Sequence, residues 1–199
     1  AALREALPWM RGHTSLYQLT IEPGTQFYHQ FHAGKWILPE EDVLAEFYEV
    51  TQAVMEAAGM PAYETSNHAS AGQASRHNMA YWTGVEYLGI GPGAHGRMDK
   101  AGARYATQTL RSPEKWLAAV QASGQGYESM TPLTPREALE ERLLMGLRLV
   151  EGIDAARFGS QTGMELWALW EPQALEPLYA EGLLERSPSH LRPTRKGHL

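Results

Sequence analysis

The feature that most constrains the fold is "PEEDVLAEFYEVTQAVMEAAG", residues 39–59, set between two runs rich in β-formers. Pro39 and the acids Glu40, Glu41 and Asp42 suit the first turn of a helix, and Gly59 suits its stop. Val43, Phe47, Val50, Thr51, Val54 and Ala58 recur at helical spacing, so this face is expected to pack in a core. Before it, "HTSLYQLTIE" (13–22) reads as a strand ending at "PGT"; after it, "MPAYETSNHA" reads as the next strand. Strand, helix, strand predicts a crossover unit on a parallel sheet. Alternation puts Ser15, Tyr17, Leu19 and Ile21 on one face of the first strand and Leu16, Gln18, Thr20 and Glu22 on the other. The second face grows more polar towards its C-terminal end. Such a face either borders a polar pocket, as at strand ends in α/β barrels, or faces solvent from an edge strand.

Further along, "YLGIGPGAHG" (87–96) reads as a strand running into a glycine-rich loop, with "ARYATQT" (103–109) pairing beside it. Ser112 is expected to cap a helix that has Pro113 at its first position and continues through Trp116, Leu117 and Val120. The two prolines of "GYESMTPLTP" suggest a linker. Beyond it, "REALEERLLMGLRLVEGID" predicts a helix with Leu139, Leu143, Leu147 and Val150 on one face. Helical pieces around 155–158 and 171–180 follow, then a two-stranded wing, 183–186 and 190–194, across a Ser-Pro-Ser turn. The expected organisation is an α/β domain over 1–130 and a small, helical, winged-helix-like domain over 131–199.

Composition narrows the chemistry. The 199 residues contain no cysteine, which removes disulfides, thiolate nucleophiles and cysteine-held iron–sulfur clusters from this chain. A net charge of −6 argues against broad affinity for nucleic acid or anionic membrane. A nucleic-acid-binding wing built on Arg186, Arg192, Arg195 and Lys196 would need a stronger basic face. No apolar run approaches the ~18 residues needed to span a bilayer, and the expected location is the cytoplasm. The first residue is Ala rather than Met, consistent with a trimmed product or a fragment.

The chemistry concentrates in "RHNMAYWTGVEYLGIGPGAHG", residues 76–96. His77 and Tyr81 lie four apart, as do Asn78 and Trp82, and that spacing brings each pair to one face of a helix or of a strand. A neutral imidazole beside aromatic rings can bind haem iron, which makes His77 the candidate metal ligand. Arg76 and Arg97 are candidate partners for haem propionates. The alternative is a histidine hydrogen-bonded inside a half-buried strand. Gly89, Gly91 and Gly93 allow close backbone approach to a ligand, with His95 closing the turn or binding; the run matches neither a phosphate loop nor a complete dinucleotide fingerprint. His29 and His32 form a His-x-x-His pair without further ligands nearby, poor grounds for a metal site. Ser66 and Ser75 lack the glycine pattern of a nucleophile elbow.

"SLYQLTIEPGT", "YETSN", "HNMAYW" and "YLGIGPGAHG", in this order, resemble the radical S-adenosylmethionine proteins related to oxygen-independent coproporphyrinogen III oxidase, and above all their HemW branch of haem chaperones. The tail, with "RLLMGLRLVEGID" and "GLLERSPSHLRPTRKG", resembles that family's C-terminal domain. The resemblance implies the C-terminal part of a partial (β/α) barrel followed by the winged-helix-like domain. It implies haem binding at an HNxxYW motif, His77, Asn78, Tyr81 and Trp82, with Gln18, Thr20, Glu22, Gly91, Gly93 and His95 as candidate lining of the barrel pocket. Family members hold a [4Fe–4S] cluster and S-adenosylmethionine through an upstream three-cysteine loop; this chain is expected to be the C-terminal half of such a protein and inactive in radical chemistry alone. Where relatives often carry Cys two positions before the HN pair, this chain has Ser75. The implied partners are haem or another porphyrin and an unidentified haem recipient, membrane-associated or not. An unpaired sheet edge left by a half-barrel favours association into a homodimer. The alternative activity is oxidative decarboxylation of coproporphyrinogen III.

Overall fold

The computed structural model describes residues 2–171 and 173–199. The chain forms two compact units, one of residues up to 74 together with 195–199, the other of 75–194.

The first unit contains α1 (Ala2–Ala6), β1 (His13–Ser15), α2 (Gln26–His32), α3 (Glu41–Ala57), β2 (Ala62–Glu64) and β3 (Asn67–Ala69). Its sheet has the order β1-β3-β2, and both pairings are antiparallel, with His13 opposite Ala69 and Ala62 opposite His68. This corrects the crossover expectation. "MPAYETSNHA" folds back on itself as a hairpin, and the first strand is three residues long rather than ten. After Leu16 N donates to Ser66 O (2.8 Å), residues 17–22 join no ladder. High β-propensity makes a strand only where a neighbouring backbone accepts its hydrogen bonds.

The helix α3 forms where the sequence puts it, but its buried face differs from the one expected. Gln52, Val54 and Met55 are buried, whereas Phe47 and Val50 are each 52% exposed. The period is right but the face is rotated: Leu44, Tyr48, Gln52 and Met55 turn inward, and of the expected stripe only Val54 is buried, with Ala58 exposed. Arg195, from the chain's end, pairs with Glu56 and lies 3.9 Å from Glu49.

The second unit runs α4 (Arg76–Trp82), β4 (His95–Lys100), β5 (Ala103–Thr109), α5 (Pro113–Ser123), β6 (Tyr127–Pro132), α6 (Pro135–Gly146), β7 (Ile153–Asp154), α7 (Ala155–Thr162), α8 (Glu176–Ala180), β8 (Leu184–Arg186) and β9 (His190–Pro193). The segment around His77 is therefore helix, not half-buried strand. In "YLGIGPGAHG" the loop precedes the strand, with Tyr87 alone bridging to Arg97. The segment read as a linker is β6, which pairs with β5 from Tyr127 to Pro132. Pro132 is tolerated because β6 is an edge strand of the sheet β4-β5-β6, and Pro135 opens α6 at its first position.

Capping follows the sequence closely. Ser112 Oγ accepts from Lys115 N ahead of Pro113, and Thr134 with Glu137 closes a reciprocal capping box on α6. Leu139, Leu143 and Leu147 pack against a core of Ile153, Phe158, Leu166 and Leu191, while Val150 remains exposed. Sheet β7-β9-β8 lies in the same cluster through Leu191 and Leu184. The short helix expected over 171–180 is realised over Glu176–Ala180; position 172 lies outside the described residues.

Leu191 is 1% exposed at the centre of that cluster. Leu191→Ala is expected to lower the stability of the 75–194 unit by about 2–5 kcal/mol, the cost of an unfilled leucine cavity. Urea unfolding followed by tryptophan fluorescence checks this; a change below about 1 kcal/mol contradicts the core assignment.

Candidate functional site

The helix α4 opens at Ser75, whose Oγ accepts from Asn78 N at 3.3 Å. Ser75 thus works as a helix cap. Four-residue spacing places His77 and Tyr81 on one side of the helix and Asn78 and Trp82 on the next. The His77 and Tyr81 rings meet edge to face, centroids 4.7 Å apart at 90°. Tyr81 in turn packs on Tyr87 at 4.3 Å and 66°. His77 is exposed, and its imidazole makes no hydrogen bond among the described residues.

Trp82 faces the other way. The Arg148 guanidinium sits 4.5 Å over its ring, and its indole Nε1 is buried without a partner among the described residues. With Gly84, Arg142, Gly146, Phe158 and Gln161 it lines a cavity of about 20 Å³, too tight for any ligand larger than water. Gln161 Nε2 donates to Thr83 O at 3.0 Å, tying the end of α4 to α7. The helix therefore has an inward side at Trp82 and an outward corner at His77 and Tyr81. An exposed imidazole with both nitrogens open could ligate a haem iron; an indole packed under Arg148 does not offer a porphyrin its face.

Arg97 is committed elsewhere. Its Nε lies 3.0 and 2.8 Å from the two Glu141 carboxylate oxygens, and its Nη2 is 2.7 Å from Oε2. This pair raises the guanidinium's pKa above its ordinary value. Using Arg97 for a propionate would break a half-buried ion pair, so that expectation is corrected; Arg76 remains exposed on α4.

The glycine loop has a structural explanation. A Cβ at Gly89 would lie 2.6 Å from the His95 carbonyl oxygen, so only glycine allows this backbone approach. Gly91 (φ 97°) and Gly93 (φ 68°) take left-handed conformations. Thr109 latches the loop, its Oγ1 donating to Gly91 O (2.6 Å) and accepting from Ala94 N (2.8 Å). The His95 side chain is left exposed at the start of β4.

In the first unit, Gln18 Nε2 donates to Leu44 O at 2.7 Å. Gln18 and Thr20 line a cavity of about 840 Å³ with Tyr48, Thr65 and Ser66. Glu22 is not among its lining residues; its carbonyl accepts from Thr25 Oγ1 ahead of α2. Beside them lies a buried polar cluster that sequence reasoning missed. Glu64, Asn67 and His68 are each at most 2% exposed. Glu64 Oε1 accepts from Asn67 Nδ2 (2.5 Å) and Ser66 N (2.8 Å). Neither ring nitrogen of His68 has a hydrogen-bond partner among the described residues, and burial lowers its pKa. The signal was the polar run "ETSN", which read only as part of a single strand.

Among the described residues no three His, Cys, Asp or Glu converge to hold a metal ion, the region of His29 and His32 included. Arg192 pairs with Glu185 at 2.7 Å, and Arg186 stacks on Trp167 at 4.2 Å, so two of the tail's basic groups are spent inside the fold.

Residues 133–199 match the HemN C-terminal domain family. The heme chaperone HemW of Bacillus subtilis is 35% identical over 198 residues, covering all of this chain and 51% of that protein. HemW of Escherichia coli is 32% identical over 198 residues, covering 99% of this chain and 50% of that protein. The chain is a homologue of HemW. It is also 42% identical over 177 residues to the zebrafish mitochondrial radical S-adenosyl methionine domain-containing protein 1, covering 86% of this chain and 38% of that one. The solved structure of the radical SAM enzyme coproporphyrinogen III oxidase (HemN) from E. coli superposes with a TM-score of 0.65 at 17% identity, over 99% of this chain and 48% of that one. The mixed α/β fold is therefore that of the C-terminal part of HemN. The chain spans about half the length of the HemW relatives and less of the zebrafish one.

The His68 environment gives a pH dependence with a definite sign. Unfolded, His68 takes up a proton near the ordinary value of 6.5; folded, it resists until lower pH. The unfolded state then binds more protons below 6.5, so stability falls as pH drops through that value towards the folded pKa. Thermal unfolding between pH 7.5 and 5 is expected to lose more stability in the native chain than in His68→Phe. Equal slopes would contradict the buried, neutral imidazole.

Proposed function

We propose that this chain is the haem-binding half of a HemW-like radical S-adenosylmethionine protein, in which His77 would ligate the haem iron with the Tyr81 ring beside it. The observation that carries the reading is the exposed His77 imidazole, without a hydrogen bond among the described residues and met edge-on by Tyr81 at 4.7 Å. Asn78 and Trp82 complete the HNxxYW motif, and on this reading they fix the helix rather than touch the porphyrin: Trp82 seats α4 by packing under Arg148. Gly91, Gly93 and His95 form the latched rim of β4, and Gln18 and Thr20 line the first unit's pocket, with Glu22 at its margin.

The finer organisation belongs to the same proposal. Residues 1–130 form the C-terminal part of a partial (β/α) barrel and 131–199 a winged-helix-like domain. The antiparallel sheet β7-β9-β8 beside α6 and α7 supports the second. In the full protein an upstream segment supplies the cysteines for a [4Fe–4S] cluster and most contacts to S-adenosylmethionine. That machinery supports transfer of haem to a recipient protein, membrane-associated or soluble. We place the protein in the cytoplasm, in keeping with its bacterial relatives, and as a monomer or homodimer. Among the described residues no helix is long and apolar enough to cross a membrane. Neutralised arginines on the tail disfavour nucleic acid as a partner. Decarboxylation of coproporphyrinogen III is the second reading; likeness to HemN supports its fold alone.

A haem titration followed by Soret absorbance tests the proposal on this chain and on His77→Ala. The native chain is expected to show a saturable one-to-one shift, and the variant to bind at least about tenfold more weakly, a loss already typical of residues that only orient a metal ligand. Equal binding by both proteins overturns His77 as the ligand.

A further inference from the structure

A seven-residue helix is too short to hold its own shape in water, and His77 sits on its exposed side. Something beyond α4 has to fix the imidazole's direction. We propose that Tyr87 is a positioning residue for His77, acting through the ring of Tyr81, and that the Arg97–Glu141 ion pair holds Tyr87 in place. The functional meaning rests on the haem reading; the positional claim stands on geometry alone.

The contacts form an unbroken chain. His77 meets the Tyr81 ring at 4.7 Å and 90°, and Tyr81 meets Tyr87 at 4.3 Å and 66°. Both geometries are the tilted and edge-to-face arrangements that the aromatic quadrupole favours. Tyr87 is fixed by its own backbone, which exchanges two hydrogen bonds with Arg97, N to O and O to N, each 2.9 Å. That exchange is the isolated bridge at the foot of the glycine loop. Arg97 cannot drift, because both its Nε and Nη2 engage Glu141 on α6 at 2.7–3.0 Å. Burial raises the Tyr87 phenol's pKa, so it stays neutral and packs as a ring at every physiological pH.

Without the Tyr87 ring, the space beside Tyr81 opens and Tyr81 gains rotamers. His77 loses the face it leans on and samples orientations that a bound ligand would then have to freeze. Immobilising one or two ring side chains costs binding about three- to tenfold. Arg97 and Glu141 are thereby given a role that no contact with a ligand would reveal.

The test uses Tyr87→Phe, which keeps the ring, and Tyr87→Leu, which removes it. The first readout is the His77 imidazole 1H–13C NMR signal in the ligand-free chain, identified by its loss in His77→Ala. In the native chain and Tyr87→Phe the signal is expected at a ring-current-shifted position. In Tyr87→Leu it moves to the position of free histidine, while the His190 signal stays put and reports an intact second unit. An unmoved His77 signal in Tyr87→Leu overturns the proposal. Should Tyr87→Leu fail to fold, Glu141→Gln is expected to move the same signal part-way; no movement there overturns it equally.

The second readout is haem affinity on the same proteins. A three- to tenfold loss in Tyr87→Leu, with Tyr87→Phe unchanged, supports positioning for ligation. Unchanged affinity in Tyr87→Leu, where His77→Ala abolishes binding, overturns it. A moved NMR signal with affinity equal in every variant, His77→Ala included, supports the positional claim and removes the haem reading instead.

Discussion

The bidentate contact between Arg97 on β4 and Glu141 on α6 governs how the second unit presents α4. Both side chains are about one-fifth exposed, so each charge has lost much of its water and depends on the other. Such pairs add little net stability, yet breaking one leaves an uncompensated charge. Arg104 extends the network, with its Nε 3.7 Å from Glu141 and its Nη1 3.2 Å from Asp99. The consequence is geometric. The start of the sheet β4-β5-β6, Tyr87 beside it and the helix α6 are locked in one register, and α4 leans on that frame through Tyr81 and Trp82.

The first unit answers to a different constraint. Its interior is unusually polar, with the Glu64 carboxylate satisfied by Asn67 and Ser66 while His68 remains unpartnered among the described residues. Its exterior is correspondingly apolar: Phe47 and Val50 on α3, and Tyr17 and Leu19 on the unpaired segment after β1, are all more than half exposed. The chain spans about half the length of its HemW relatives.

Local signals are legible in this sequence and non-local ones are not. Ser112 with Pro113, and Thr134 with Glu137, act within one helical turn, so the sequence shows them directly. The leucine stripe of α6 was equally legible because its partners, Phe158 and Leu191, follow in the same unit. The strand at 13–22 was over-read because β-propensity says nothing about whether a neighbouring strand is present. The same reason hid β6, whose Pro132 suits an edge strand while Pro135 opens the next helix. At the candidate site the i, i+4 pairing of His77 with Tyr81 was visible in the spacing. What was not visible was the inward turn of Trp82 and the capture of Arg97 by Glu141, forty-four positions away.

These parts describe a protein surface in which one imidazole is presented and its neighbours are arranged to keep it presented. The central claim is that a tetrapyrrole meets the chain at α4. Hydrogen–deuterium exchange, measured with and without haem, maps that contact without any substitution. The account predicts slower exchange over residues 76–83 and around Tyr87 in the haem-bound chain, with β8 and β9 unchanged. Protection confined to the first unit or to the β8–β9 hairpin, with α4 exchanging as before, would contradict it.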